Sequence, residues 1–342
     1  MGFTEQLIGG EWIGAAEGGT WDLVNPATGA PFTTVAFGSA MDATRAIDAA
    51  SAAFAEWRDL GPWARADLLH RAADLLVERA DQYAAITTAE SGKPLDQAKA
   101  EWLSAPHYLR FAAEEAKRVG GRSIPARLPG RRIDVTYSPL GVVGVIAAWN
   151  FPIYNLNRAI SSALAAGCTV VARPSEYTPR SAFAYAAALV DAGVPPGVVN
   201  VINGDPPSQG AVMLDDPRVR KIQFTGSSRV GKLLMDGASR TVTQLSLELG
   251  GNAPVIVLDD VDVEAVARGA AVAKSRNGGQ VCIAPQRFIV HESIADEFTT
   301  VVARSLGAMQ VGDPTAPGTD VGPMINEAQR DRIEQMVDCL LY

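Results

Sequence analysis

Histidine and cysteine, the residues most often recruited for chemistry, are scarce here: three of each in 342 positions. The cysteines, Cys168, Cys282 and Cys339, are odd in number and far apart. That spacing speaks against a disulfide framework or a cysteine-rich zinc site and points to a reducing, cytoplasmic setting. His70, His107 and His291 are equally scattered, so no metal-ligating cluster is visible. Long apolar runs are missing too. The longest stretches, 142–148 and 163–172, fall well short of the ~20 residues a spanning helix needs and read as buried core. The first residues carry no basic patch followed by an apolar segment, so no secretory signal is expected. Cations are in deficit, with 30 Lys and Arg against 38 Asp and Glu, a net charge of −8. Nucleic acid is therefore not an expected partner, because phosphate contacts need clustered Lys and Arg.

What is present suits a globular enzyme. Hydrophobic residues make up 47% of the chain and charged residues 20%, and the length argues for two domains. Apolar positions at helical spacing run through 42–58, 64–90 and 94–117. A Gly/Pro/Arg-rich stretch, 120–132, then leads into alternating 133–137, which reads as an extended arm outside the core. From Gly141 the pattern changes: short β-rich runs (142–147, 168–172, 198–202, 219–224) alternate with helical segments (157–166, 179–192, 208–215, 229–238). Strands separated by helices imply right-handed crossovers and a mostly parallel sheet of dinucleotide-binding shape. After Leu249-Gly250-Gly251 a second series begins, with strands 254–258 and 287–290 and helices 262–276 and 292–305; a last helical pattern covers 326–338.

Several segments carry candidate chemistry. Phe224-Thr225-Gly226-Ser227 ends a strand and opens a helix, a turn that aims free N–H groups at an anion. Gly226 to Lys232 nearly spells a P-loop, but Leu233 lacks the hydroxyl that Mg²⁺ needs; an ordinary tight turn remains open. Cys282 sits in Asn277-Gly278-Gly279-Gln280-Val281-Cys282, where glycines admit a ligand and supply N–H groups near the sulfur. Its plainer alternative is a small buried hydrophobe. Glu248, flanked by leucines and a glycine pair, is expected to be half-buried, a setting for a general base or for a carboxylate bonded to backbone N–H groups. Trp149-Asn150-Phe151-Pro152 follows a strand at the crevice where such sheets bind ligands; the Asn150 amide suits an oxyanion, or a turn. Arg173-Pro174-Ser175-Glu176 ends the next strand, and a Glu there accepts from ribose hydroxyls and repels a 2′-phosphate.

In order and spacing, including the 34 residues between Glu248 and Cys282, these segments together resemble the NAD(P)-dependent aldehyde dehydrogenase superfamily. Milder echoes lie in Glu90-Ser91-Gly92-Lys93-Pro94 and Val194-Pro195-Pro196-Gly197. The resemblance implies an α/β fold with a Rossmann-type cofactor domain (1–248, arm at about 120–137) and an incomplete catalytic domain (249–342). It also implies aldehyde oxidation to a carboxylic acid. Cys282 would be the nucleophile, Asn150 with the Cys282 N–H the oxyanion donors, and Glu248 the base that hydrolyses the thioester. Gly226, Ser227 and Trp149 would meet the pyrophosphate of NAD, or of NADP; Arg173, Ser175 and Glu176 would face the adenosine ribose, and Leu249 and Gly250 the nicotinamide. The arm implies a homo-oligomer, the substrate is a small aldehyde, and neither membrane nor nucleic acid is a partner.

The departures are specific. Arg173 stands where the family usually has Lys, and Ser275 where an aromatic is usual; losing that ring widens the substrate tunnel. Members usually run about 150 residues further, and no Glu-x-Phe-Gly-Pro motif appears, so the chain reads as a C-terminally truncated member. An exposed sheet edge and the apolar tail 340–342 are then expected to promote aggregation. The rival readings are a dinucleotide-binding fragment without turnover, a P-loop ATPase and a Cys–His hydrolase built on His291.

Overall fold

The computed structural model describes residues 2–340. Two short strands, β1 (Gln6–Ile8) and β2 (Glu11–Ile13), and a hairpin of β3 (Thr20–Asn25) and β4 (Ala30–Ala36) precede four helices, α1 (Ala40–Asp59), α2 (Pro62–Glu78), α3 (Ala80–Ser91) and α4 (Leu95–Ala116). A second hairpin follows, β5 (Arg122–Pro125) with β6 (Arg132–Val135). The alternating part comprises β7 (Val142–Ile146), α5 (Pro152–Ala165), β8 (Thr169–Arg173), α6 (Pro179–Asp191), β9 (Val199–Val201), α7 (Pro206–Asp215), β10 (Val219–Gly226), α8 (Ser228–Ala238) and β11 (Gln244–Leu249). Last come β12 (Ala253–Val257), α9 (Val263–Ser275), β13 (Pro285–Val290), α10 (Ala295–Gly307) and α11 (Glu327–Leu340). Among the described residues no helix is long and apolar enough to cross a membrane.

The main sheet has the order β11-β10-β7-β8-β9-β1-β2, parallel from β11 to β9. β7 is apolar throughout and β8 is apolar from Val170 to Ala172, and both are buried as central parallel strands must be. α2, α4, α5 and α6 pack one face and α1, α7 and α8 the other, giving two apolar layers. The chain moves outward from β7 through β8 to β9, then returns to lay β10 on the other side of β7. That reversal opens a crevice beyond the carboxyl ends of β7 and β10, the position where doubly wound sheets receive ligands. β12 and β13 form a separate parallel pair whose inner face packs Val257 and Phe288 on α9 and α10. Ile256 and Ile289 face solvent on the other face.

Three features depart from the sequence expectation. The helical stretch 64–90 is two helices, because the backbone leaves the helical region at Arg79, whose guanidinium bonds the Tyr83 hydroxyl at 3.2 Å and Asp191 at 2.5 Å. The strands β1–β4 were not anticipated; β1 closes the sheet antiparallel to β9 through the single pair Leu7 and Val201. Residues 244–249, given no element from the sequence, form the edge strand β11. The arm at about 120–137 is the β5–β6 hairpin, exposed along nearly its whole length. The tail residues Leu341 and Tyr342 lie outside the described residues.

Candidate active site

Asn150 lies in the turn between β7 and α5, at the mouth of the crevice. Its Oδ1 accepts from the Phe151 N–H at 3.0 Å and from Asn155 Nδ2 at 3.3 Å, which fixes the amide plane. Its Nδ2 donates at 3.0 Å to the Gln280 carbonyl, two residues before Cys282. In return, Asn277 Nδ2 donates to the Asn150 carbonyl at 3.0 Å. The Asn150 turn and the cysteine loop are thus tied by reciprocal bonds across 127–130 residues of sequence.

The loop owes its shape to three consecutive left-handed residues. Asn277 has φ 49°, Gly278 62° and Gly279 76°, a path open to glycine and tolerated by asparagine but costly for other side chains. Asn277 is buried, and its N–H donates at 2.8 Å to Gln97 Oε1 on α4, so the strained turn is held from two sides. The loop then delivers Cys282 to the surface as an exposed thiol, whereas Cys168 is buried beside β8. The reading of Cys282 as a buried hydrophobe is therefore ruled out. Ser275, at the end of α9, spends its hydroxyl on the Val272 carbonyl at 3.2 Å.

Glu248 corrects an expectation. Its side chain is 51% exposed, and its apolar neighbours are not what covers the rest. The reason is strand alternation at a sheet edge: Leu247 and Leu249 pack toward α8, which turns Glu248 to the opposite face, where Arg158 of α5 lies 3.5 Å away. Glu248 and Arg158 line a groove of about 490 Å³ together with Lys221, Gln223 and Ser246. The strand end and the cysteine loop do meet, because a Cβ on Gly251 would lie 3.3 Å from the Cys282 carbonyl.

The remaining candidates line the same crevice. Gly226 ends β10 where any Cβ would strike the Phe224 ring at 2.3 Å, so the close turn requires glycine. Ser227 caps α8, accepting from the Val230 N–H at 3.3 Å. Leu249 pairs with Gly226 across β10 and β11 and presses on Gly231, while Gly250 is open to solvent. Trp149 is partly buried beside Asn150.

At the end of β8, Arg173 points inward. Its Nη2 donates to Glu176 Oε2 at 2.8 Å and to the Gly204 carbonyl at 3.0 Å. Burial pulls its guanidinium below the usual arginine range, opposed by Glu176. Ser175 is buried and its hydroxyl lies 3.5 Å from the same carboxylate oxygen. A dinucleotide fits this donor set: Glu176 keeps some exposure and its bonded contacts fall on Oε2 alone, while α8 opens directly after Gly226 with its first N–H groups available to an anion.

Sequence reasoning missed a group of buried polar residues behind the crevice. Glu90 accepts from the Arg180 and Ser181 N–H groups at 3.0 and 2.9 Å, at the start of α6. Glu101 accepts from the Ile153 and Tyr154 N–H groups at 2.9 and 3.0 Å, at the start of α5, and pairs with Lys93. The motif containing Glu90 and Lys93 was a visible signal, but its partners come from elsewhere in the chain.

Fold and site together define a doubly wound α/β protein with a cysteine loop docked at the switch point of its sheet. Residues 12–340 match the model of the aldehyde dehydrogenase family, and the chain belongs to that family. It is 43% identical over 334 residues to a mitochondrial succinate-semialdehyde dehydrogenase of Arabidopsis thaliana, covering 98% of this chain and 63% of that protein. It is 39% identical over 333 residues to the NADP(+) succinate-semialdehyde dehydrogenase of Escherichia coli (strain K12), covering 97% and 69%. The crystal structure of succinate-semialdehyde dehydrogenase from Burkholderia pseudomallei matches with a TM-score of 0.95 at 44% identity, over 97% of this chain and 69% of that one. The chain thus spans less than two thirds of the plant relative's length.

Proposed function

We propose that this chain carries the cofactor side and the nucleophile of an NAD(P)-dependent aldehyde dehydrogenase, with 1–248 as the cofactor domain and 249–342 as the start of the catalytic domain. The observation that carries the reading is the docking of the Cys282 loop on Asn150 through the Gln280 carbonyl at 3.0 Å. The Cys282 thiolate adds to the aldehyde carbonyl to give a thiohemiacetal. The Asn150 amide and the Cys282 N–H receive the resulting oxyanion. Bound NAD(P) supplies the hydride acceptor. Glu248 then takes a proton from the water that hydrolyses the Cys282 thioester, and its exposure leaves it free to swing toward the loop.

Ser227 and the first N–H groups of α8, with Gly226 and Trp149, hold the pyrophosphate. Glu176 accepts from the adenosine ribose with Ser175 beside it, and Arg173 stands behind Glu176 and fixes its direction. Leu249 and Gly250 border the nicotinamide. A negative Glu176 favours NAD over NADP, although one relative's name specifies NADP(+). For the substrate, the relatives' names together with Arg158 and Lys221 in the groove beside Glu248 favour a small aldehyde bearing a carboxylate. The exposure of Glu248 also supports a second reading, a chain that binds the dinucleotide without turnover.

The test follows formation of reduced nicotinamide by absorbance, with succinate semialdehyde and an uncharged aliphatic aldehyde, each with NAD and NADP. Cys282→Ala is expected to abolish turnover while nucleotide binding, measured by calorimetry, persists. Turnover that survives in Cys282→Ala overturns the mechanism. Nucleotide binding with no turnover in a folded wild-type chain supports the second reading.

A further inference from the structure

The buried pair Lys93–Glu101 is unused by the mechanism above and lies directly behind its oxyanion donor. Lys93 is fully buried and Glu101 nearly so, at 0% and 1% side-chain exposure. Two charges are rarely withdrawn from water without a task, because each must be desolvated before any pairing energy is recovered. Burial pulls the Lys93 ammonium below its usual range, and Glu101 opposes that.

The other Glu101 oxygen is also committed. Oε1 accepts from the Ile153 and Tyr154 N–H groups, at 2.9 and 3.0 Å, in the first turn of α5. Those N–H groups have no partner within their own helix, and α5 has no side-chain cap of its own. A carboxylate from α4 thus pins the helix start that immediately follows Asn150. The Lys93 ammonium in turn lies 3.8 Å from the centroid of the Phe151 ring, and the Arg276 guanidinium lies 5.1 Å from the same ring. Arg276 is the residue before Asn277, whose amide bonds Asn150. Phe151 is thus contacted by one cation from the pinned side and another from the cysteine loop.

We propose that Glu101, with Lys93, is the positioning device for the Asn150 amide, holding the Asn150 turn in register with the Cys282 loop. Neither residue touches the reacting atoms. Their effect passes through the first turn of α5 and through the Phe151 ring. This rests on the dehydrogenase reading for its catalytic consequence, while the positioning itself is readable without turnover.

Two double variants separate positioning from general stability. Glu101→Ala with Lys93→Met removes the carboxylate and leaves no stranded charge. Glu101→Gln with Lys93→Met removes both charges but keeps an acceptor for the Ile153 and Tyr154 N–H groups. The first is expected to lower kcat by roughly 100-fold, the scale of a small misplacement of a reacting group, with aldehyde KM and NAD Kd within about twofold of wild type. The second is expected to recover kcat to within roughly fivefold, because its amide restores the pin.

Hydrogen exchange read by mass spectrometry is expected to show lost protection at 149–156 and 277–283 in the first variant only. A folded first variant with wild-type kcat and unchanged exchange overturns the proposal. So does a second variant that falls as far as the first, since the acceptor would then not matter. If the wild-type chain itself gives no turnover, the dehydrogenase reading fails, and the exchange pattern alone decides the positioning role.

Discussion

The starts of α5 and α6 use the same device with opposite charge balance. Each helix lacks a side-chain cap of its own and is pinned by a buried glutamate from the preceding helical layer, Glu101 for α5 and Glu90 for α6. Glu101 is matched by a buried ammonium, Lys93. Glu90 has no buried cation. Its carboxyl is pushed up to about 7 by burial, although the Ser181 and Arg180 bonds and the Arg180 charge pull it back. The compensated carboxylate sits under the turn that carries Asn150; the titratable one sits under a helix that carries no candidate residue.

The comparison breaks most visibly under leucine substitution. Glu101→Leu strands Lys93 without its anion and leaves two N–H groups unbonded, an expected loss of about 3–5 kcal/mol by urea unfolding. Glu90→Leu leaves only unbonded N–H groups and is expected to cost about 1–3 kcal/mol. Equal losses would show that Lys93 is not compensated by Glu101.

The pH dependence sharpens the same contrast. Folded, Glu90 keeps its proton up to about pH 7; unfolded, it releases it near its ordinary value of 4.5. Between those values the folded state binds more protons, so stability falls as pH rises through the window, by about 3 kcal/mol. Glu90→Gln stays neutral, and its unfolding free energy should be flatter than wild type over that range. Parallel curves in the two proteins would remove Glu90 as the titrating group. The smallest effect is expected from Arg276→Ala, which removes one cation from the Phe151 ring and should lower stability by about 0.5–1 kcal/mol in thermal unfolding.

The alternation from β7 to α8 was legible because buried parallel strands are apolar through their middle, and the turns between them carry glycine and proline. Cys282 and Asn150 were legible from their local settings and their spacing. Glu248 is more open than its leucine neighbours suggest, because they bury only their own face on the edge strand β11, and its carboxylate lies 3.5 Å from Arg158 of α5. Arg173, expected to face a ribose, is bonded in the structure to Glu176 and to the Gly204 carbonyl. β1 and β2, three residues each, are too short for alternation to register.

The family and the alternation from β7 to α8 were readable from residue type and local spacing, but β11 beside β10 was not. Only the tertiary structure decided which groups are buried, paired or aimed. Glu101 reaches Ile153 across 52 residues, and Asn150 reaches Gln280 across 130. Hydrogen bonds and desolvation act over a few ångströms of space, and distance along the chain says nothing about them until the sheet has folded.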